Sequence, residues 1–169
     1  MNCVVVDTNV VLVANGQHQD VSQDCVVACA IRLQAIMQVG KLALDDRYLI
    51  LLEYQNKTTP KTSNRPGDAF VKWALQNNRN PHRVDQVPIK EHAQRGFFSF
   101  PDDPDLEQFD IADRKFVAVA AAHPDLPPIL QAVDSKWLGW SPALERHRVK
   151  VDYLCPDDVM RFQARKSGS

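Results

Sequence analysis

The run Cys3-Val4-Val5-Val6 ends without transition in Asp7-Thr8-Asn9. Consecutive β-branched residues with no polar alternation read as a strand buried on both faces, the kind found in a parallel sheet covered by helices on each side. In open α/β sheets, ligands bind just beyond the carboxyl ends of the strands, so Asp7 is expected to face such a crevice. A carboxylate at the tip of an apolar strand is costly to bury unless positive charge meets it.

The rest of the chain alternates strands and helices around that start. Further strands are expected at residues 42–44, closing on Asp45-Asp46, at 84–89 with Pro88 interrupting, at 129–133 ending in Asp134, and at 149–154. Ser22 is a suitable N-cap for a helix over 24–39, stopped by Gly40, with an apolar stripe through Val26, Val27, Ala30, Ile31, Leu33, Ala35 and Met37. Other helices fit 48–56, 68–77, 111–122 and 156–164, with polar or breaker-rich loops at 15–23, 58–66 and 100–106. This alternation implies a three-layer α/β/α fold with a central parallel sheet of about five strands and right-handed crossovers. A chain of 169 residues suits one domain over residues 1–165, with 166–169 as a flexible tail.

Hydrophobic residues at 44% and charged residues at 24% are ordinary for a soluble globular protein. No apolar stretch is long enough to span a bilayer, and the N-terminus lacks the charged start and cleavage site of a secretory signal. A cytoplasmic location is the expectation. Cys3, Cys25, Cys29 and Cys155 contain no C-x-x-C pair and read as small buried apolar side chains, rather than zinc ligands or a disulfide. Six glycines without a glycine-rich loop argue against a P-loop or a Rossmann dinucleotide site. No Ser/His/Asp arrangement stands out. A net charge of −1 does not announce a nucleic-acid binder. Charge is uneven, however, with basic groups at Lys57, Lys61 and Arg65 and at Arg146, His147, Arg148 and Lys150, and an acidic run at Asp102, Asp103, Asp105 and Glu107.

Asp7 and Asp134 end two strands, and in a parallel sheet both tips share one edge. Glu53 interrupts the apolar segment Leu49-Ile50-Leu51-Leu52, and Asp113 opens the helix leading toward the Asp134 strand. Four carboxylates converging on one crevice repel unless divalent cations hold them together. Oxygen-only ligands select hard ions, Mg²⁺ or Mn²⁺. Such ions activate water and stabilise the leaving oxygen of a phosphodiester. Each acid also has a plainer role open to it: Asp7 and Asp134 as turn or helix caps, Glu53 as a solvated side chain, and Asp110 and Asp113 as a capping pair.

Together the segments Val5-Val6-Asp7-Thr8-Asn9-Val10, Leu51-Leu52-Glu53-Tyr54, Asp113-Arg114-Lys115-Phe116 and Val133-Asp134-Ser135-Lys136-Trp137-Leu138 resemble the PIN domain, the small α/β metal-dependent nuclease fold common among bacterial toxin ribonucleases. The resemblance covers nearly the whole chain. It implies Asp7, Glu53, Asp113 and Asp134 as catalytic, metal-binding acids, with Asn9 supporting Asp7, Ser135 supporting Asp134 or the bound water, and Asp110 assisting. It further implies an endoribonuclease using Mg²⁺ or Mn²⁺ on an RNA substrate, an antitoxin protein as partner if this is a toxin, and pairing into a homodimer. Lys57, Lys61 and Arg65 are candidate phosphate contacts from their loop, and Arg114, Lys115 and Lys136 from beside the acids. Trp137 and Trp140 suit base stacking or, better, the core. The alternative function is a catalytically inactive module of the same fold that binds RNA or protein. A phosphatase of the haloacid dehalogenase type would need a second acid where this chain has Asn9.

Overall fold

Val4, Val5 and Val6 are buried almost completely, in the central strand of a five-stranded parallel sheet. The structure is a computed structural model that describes residues 2–167. In chain order its elements are β1 (Cys3–Val6), α1 (Thr8–Ala14), α2 (Gln23–Val39), β2 (Lys41–Asp45), α3 (Leu49–Lys57), α4 (Pro66–Asn77), β3 (Val84–Val87), a short hairpin of β4 (Glu91–His92) and β5 (Gly96–Phe97), α5 (Arg114–Ala122), β6 (Ile129–Gln131), α6 (Lys136–Arg146), β7 (Val151–Tyr153) and α7 (Pro156–Ser167). Single 3-10 turns lie at Pro104–Leu106 and Ile111–Asp113. The main sheet has the order β3-β2-β1-β6-β7, and helices flank it in a three-layer α/β/α arrangement.

The chain leaves β1 toward β2 on one side and later returns to β6 on the other, so the strand order reverses between β1 and β6. A crevice opens at the carboxyl edge of such a switch point. Register pairs Val6 with Leu130, which sets the residues that follow, Asp7 and Gln131, beside each other.

Several elements depart from the sequence expectation for local reasons. α1 begins immediately after Asp7, and Gly67 at the start of α4 is the reason it can pack so closely: a Cβ there would stand 2.3 Å from the Val11 carbonyl oxygen. β3 stops at Val87, before Pro88, which has no N–H for the ladder. α2 carries the expected Ser22 cap, its hydroxyl accepting from Cys25 N at 3.1 Å. Its inward stripe is Cys25, Cys29, Leu33 and Ile36, while Val27 and Ile31 are 44% and 61% exposed. The helix is thus rotated from the face that the branched residues suggest.

The cysteines lie on that buried face, and they correct the expectation about them. Cys25 and Cys155, 130 residues apart, form a disulfide that ties the start of α2 to the start of α7. Ser22 strengthens the joint, donating through its backbone N and its hydroxyl to the Asp158 carboxylate, both at 2.7 Å. Cys29 remains a buried thiol 3.8 Å from Cys155 Sγ, and burial pushes it up to about 12. Lys166 and Ser167 belong to α7 rather than to a loose tail, and residues 168–169 lie outside the described residues. Among the described residues, no helix is long and apolar enough to cross a membrane.

A cross-link closing so long a loop contributes about 2–5 kcal/mol. Reduction, or Cys155→Ser, is therefore expected to lower the unfolding free energy by that amount, read as a lower urea midpoint, with little change in secondary structure by circular dichroism. An unchanged midpoint would show that the joint is held by Ser22 and Asp158 alone. Gly67→Ala should cost about 1–3 kcal/mol, because backbone rather than a flexible side chain blocks the added methyl.

Candidate metal centre

Asp7 occupies the N-cap position of α1, yet its side chain makes no cap hydrogen bond. Instead its Oδ2 accepts from Gln131 Nε2 at 2.7 Å, and the residue is 4% exposed. Asp113 and Asp110 likewise stand at helix-start positions without side-chain capping bonds. The plainer reading as caps does not hold for these three. It does hold for the acid at the tip of β2: Asp45 accepts from the backbone N–H groups of Arg47, Leu49 and Ile50 at 3.0, 2.9 and 2.9 Å, and so starts α3. Asp134 does both, accepting from Lys136 N at 3.2 Å while facing the other acids.

Glu53 reaches the crevice because α3 is pinned from two sides. Asp45 holds its first turn, and the Tyr54 hydroxyl donates to the carbonyl of Val6, the last residue of β1. Glu53 then accepts from the Thr8 hydroxyl and forms an ion pair with Lys115 Nζ at 2.9 Å.

Carboxylate oxygens of Asp110, Asp113 and Asp134 all lie within 4.8 Å of one another. A metal–oxygen bond of about 2.1 Å puts adjacent ligands of an octahedral ion about 3 Å apart and opposite ones about 4.2 Å apart, so the three side chains would have to draw together for all of them to bind one ion. Asp7 and Glu53 flank it. Burial, then the charge of Asp113, pushes Asp7 up to about 8 against the opposing Gln131 hydrogen bond, with Asp134 and Glu53 adding to the rise. Burial, then Asp134, Glu53 and Asp110, pushes Asp113 up to about 6. Two ammonium groups offset part of this field: Lys115 on Glu53 and Lys136 on Asp110. All these ligands are oxygens, which suits a hard divalent ion. Asp110, Asp113 and Asp134 are the residues that would hold it, while Asp7 and Glu53, the other two expected ligands, stand beside the triad and outside it.

The supporting roles are redistributed. Asn9 does not support Asp7; its side-chain oxygen accepts from Val133 N at 2.8 Å and so shapes the turn before Asp134. Gln131 supports Asp7 instead, and a glutamine inside an apolar strand was the one signal in the sequence that could have pointed to it. Ser135 is buried beside Asp134 in a groove wall. Arg114 is corrected outright. It is 7% exposed, its guanidinium donating to the carbonyls of Arg95, Leu106, Glu107 and Phe109 and lying 4.6 Å from the Phe100 ring centroid. Arg65 is engaged with Asp68 at 2.8 Å. Lys57 lines the groove beside Glu53, and Lys61 is exposed on the next loop. Trp137 and Trp140 pack on Phe109. The second basic run and the acidic run meet each other, Arg146 pairing with Asp103 and Asp105 and His147 with Asp103.

Two other clusters carry potential metal ligands. Cys3, Asp85 and His123 lie together, but Asp125 N donates to His123 Nδ1 at 3.0 Å. A neutral imidazole then keeps its proton on Nε2, which faces Asp85 at 2.8 Å. That nitrogen has no lone pair to offer, and Lys41 also occupies Asp85. Cys25, Cys29 and Cys155 form the other cluster, with two of the three sulfurs joined in the disulfide. Comparison of the chain with protein families, with characterised proteins and with solved structures finds no match in any of the three.

Asp7 and Asp113 are both held above the ordinary carboxyl range, so the folded protein retains protons that the unfolded chain releases. Their contribution without divalent ions is greatest at low pH and falls as pH rises from about 4 through about 8. A divalent ion replaces those protons, and its affinity rises with pH. The Mn²⁺-induced rise in melting temperature is expected to be larger at the upper end of that range than at the lower, and Asp7→Asn should flatten both trends. A shift that shrinks on raising the pH would rule the site out.

Proposed function

We propose that the protein is an Mg²⁺- or Mn²⁺-dependent endoribonuclease of the PIN type. The single observation that carries this reading is the gathering of Asp7, Glu53, Asp110, Asp113 and Asp134 at the β1/β6 switch point, with carboxylate charge in excess of the two lysines beside it. In this reading Asp110, Asp113 and Asp134 hold the ion, and Gln131 keeps Asp7 turned toward it. The bound ion supplies a polarised water and stabilisation of charge on the phosphate. Glu53, oriented by Thr8, would accept the proton of the water that attacks phosphorus, while the P–O bond to the leaving ribose oxygen breaks and that oxygen takes a proton from solvent water. Lys115 and Lys136 stand where phosphate oxygens arrive and can transfer their hydrogen bonds from carboxylate to phosphate.

The test is cleavage of fluorescent RNA oligonucleotides with Mn²⁺, with EDTA, and in Asp7→Asn and Asp134→Asn variants. Rates should fall at least about 100-fold in either variant and in EDTA. Cleavage by Asp7→Asn that survives EDTA would overturn the mechanism. Calorimetry showing no Mn²⁺ binding in the wild type would favour the inactive binding module.

A further inference from the structure

On the Asp134 side the acid crevice opens into a groove of about 370 Å³ between the α1–α2 loop and α7. Asn9, Asp134 and Ser135 form its inner end. Its wall is aromatic: the Phe162 ring lies 5.9 Å from the His18 ring, centroid to centroid, tilted by 36°. At the outer end stands Arg165, with 56% of its side chain exposed. Its guanidinium lies 5.5 Å from the Phe162 centroid, which Arg161 also approaches to 5.2 Å, and it meets Asp20 at 3.9 Å, so an incoming base displaces a guanidinium from the ring.

Carboxylates, an aromatic wall and a loosely paired guanidinium thus follow one another along a single channel. The volume suits one small organic unit. Aromatic side chains accept any nucleobase, because every base offers a π-face. A guanidinium matches two phosphate oxygens at once. The acids repel phosphate everywhere except where an ion sits, which fixes the register. A phosphodiester over the acids leaves its neighbouring base against Phe162 and the next phosphate near Arg165. A base already paired in a duplex cannot enter the groove. The wall is also firmly built, since the Cys25–Cys155 disulfide and the Ser22–Asp158 hydrogen bonds fix the start of α7.

We infer that this groove is the subsite for the nucleotide next to the cleaved bond of a single-stranded RNA, with Phe162 and His18 stacking the base and Arg165 holding the phosphate beyond it. The inference rests on the nuclease reading above. The two are separated by measuring Mn²⁺-dependent hydrolysis of methyl p-nitrophenyl phosphate, too short to reach α7, beside that of a short single-stranded RNA. Arg165→Glu reverses the charge at a half-exposed position and lifts its guanidinium from the Phe162 ring, and Phe162→Ala removes the wall. Each should raise KM for the RNA by at least about fivefold while hydrolysis of the small diester stays within about twofold of wild type. The same RNA in duplex form should be a poor substrate. KM for RNA unchanged in both variants, with small-diester hydrolysis intact, would overturn the subsite and leave the nuclease standing. A wild type that hydrolyses neither diester removes the nuclease and the subsite with it.

Discussion

Carboxylates that share a crevice with little water repel one another strongly, and every feature around the β1/β6 switch point answers to that repulsion. Asp7 is buried at the end of the most apolar strand, where among the described residues only Gln131 donates to its carboxylate. Asp113 stands among Asp110, Asp134 and Glu53, and no hydrogen bond or ion pair reaches its carboxylate among the described residues. An arrangement of this kind lowers stability locally, so the surrounding scaffold must hold it by other means. Here those means are visible: a parallel register that fixes Asp7 beside Gln131, a Tyr54 hydroxyl on the Val6 carbonyl that fixes α3, and a disulfide that fixes α7.

The three acids at strand ends show how the same position acquires different roles. Asp45 is followed by a turn in which Tyr48 adopts φ 63°, which brings three backbone N–H groups onto its carboxylate. Asp7 is followed directly by a helix whose first N–H groups point away from its side chain, leaving that side chain to the crevice. Asp134 lies between these cases. What separates a cap from a candidate ligand is therefore the geometry of the next three or four residues.

That difference also marks where the sequence was legible. The valine run, the Ser22 cap and the strand-ending acids depend on local chemistry, and they emerged with their positions nearly right. The failures among the cysteines and site residues involve partners outside the local segment. Cys25 finds Cys155 across 130 residues. Arg114, next to a proposed ligand in sequence, turns toward carbonyls of the 95–109 segment because the 3-10 turn at Ile111–Asp113 ends there and α5 directs it the other way. Val27 and Ile31 look like a core stripe, yet the face of α2 that carries Cys25, Cys29, Leu33 and Ile36 turns inward. Neighbouring residues one position apart on a helix point about 100° apart, so Arg114 and Lys115 part company even though their charges are the same.

The two lysine contacts inside the crevice bear on which solutes can settle there. An incoming cation beside Glu53 or Asp110 has to displace an ammonium that already neutralises that carboxylate. Sodium or potassium brings no more charge than the group it evicts, and it gains nothing by the exchange. An ion of twice the valence leaves the pocket better balanced than before. At those two carboxylates the lysines would thereby set a threshold of valence, ahead of size or coordination number.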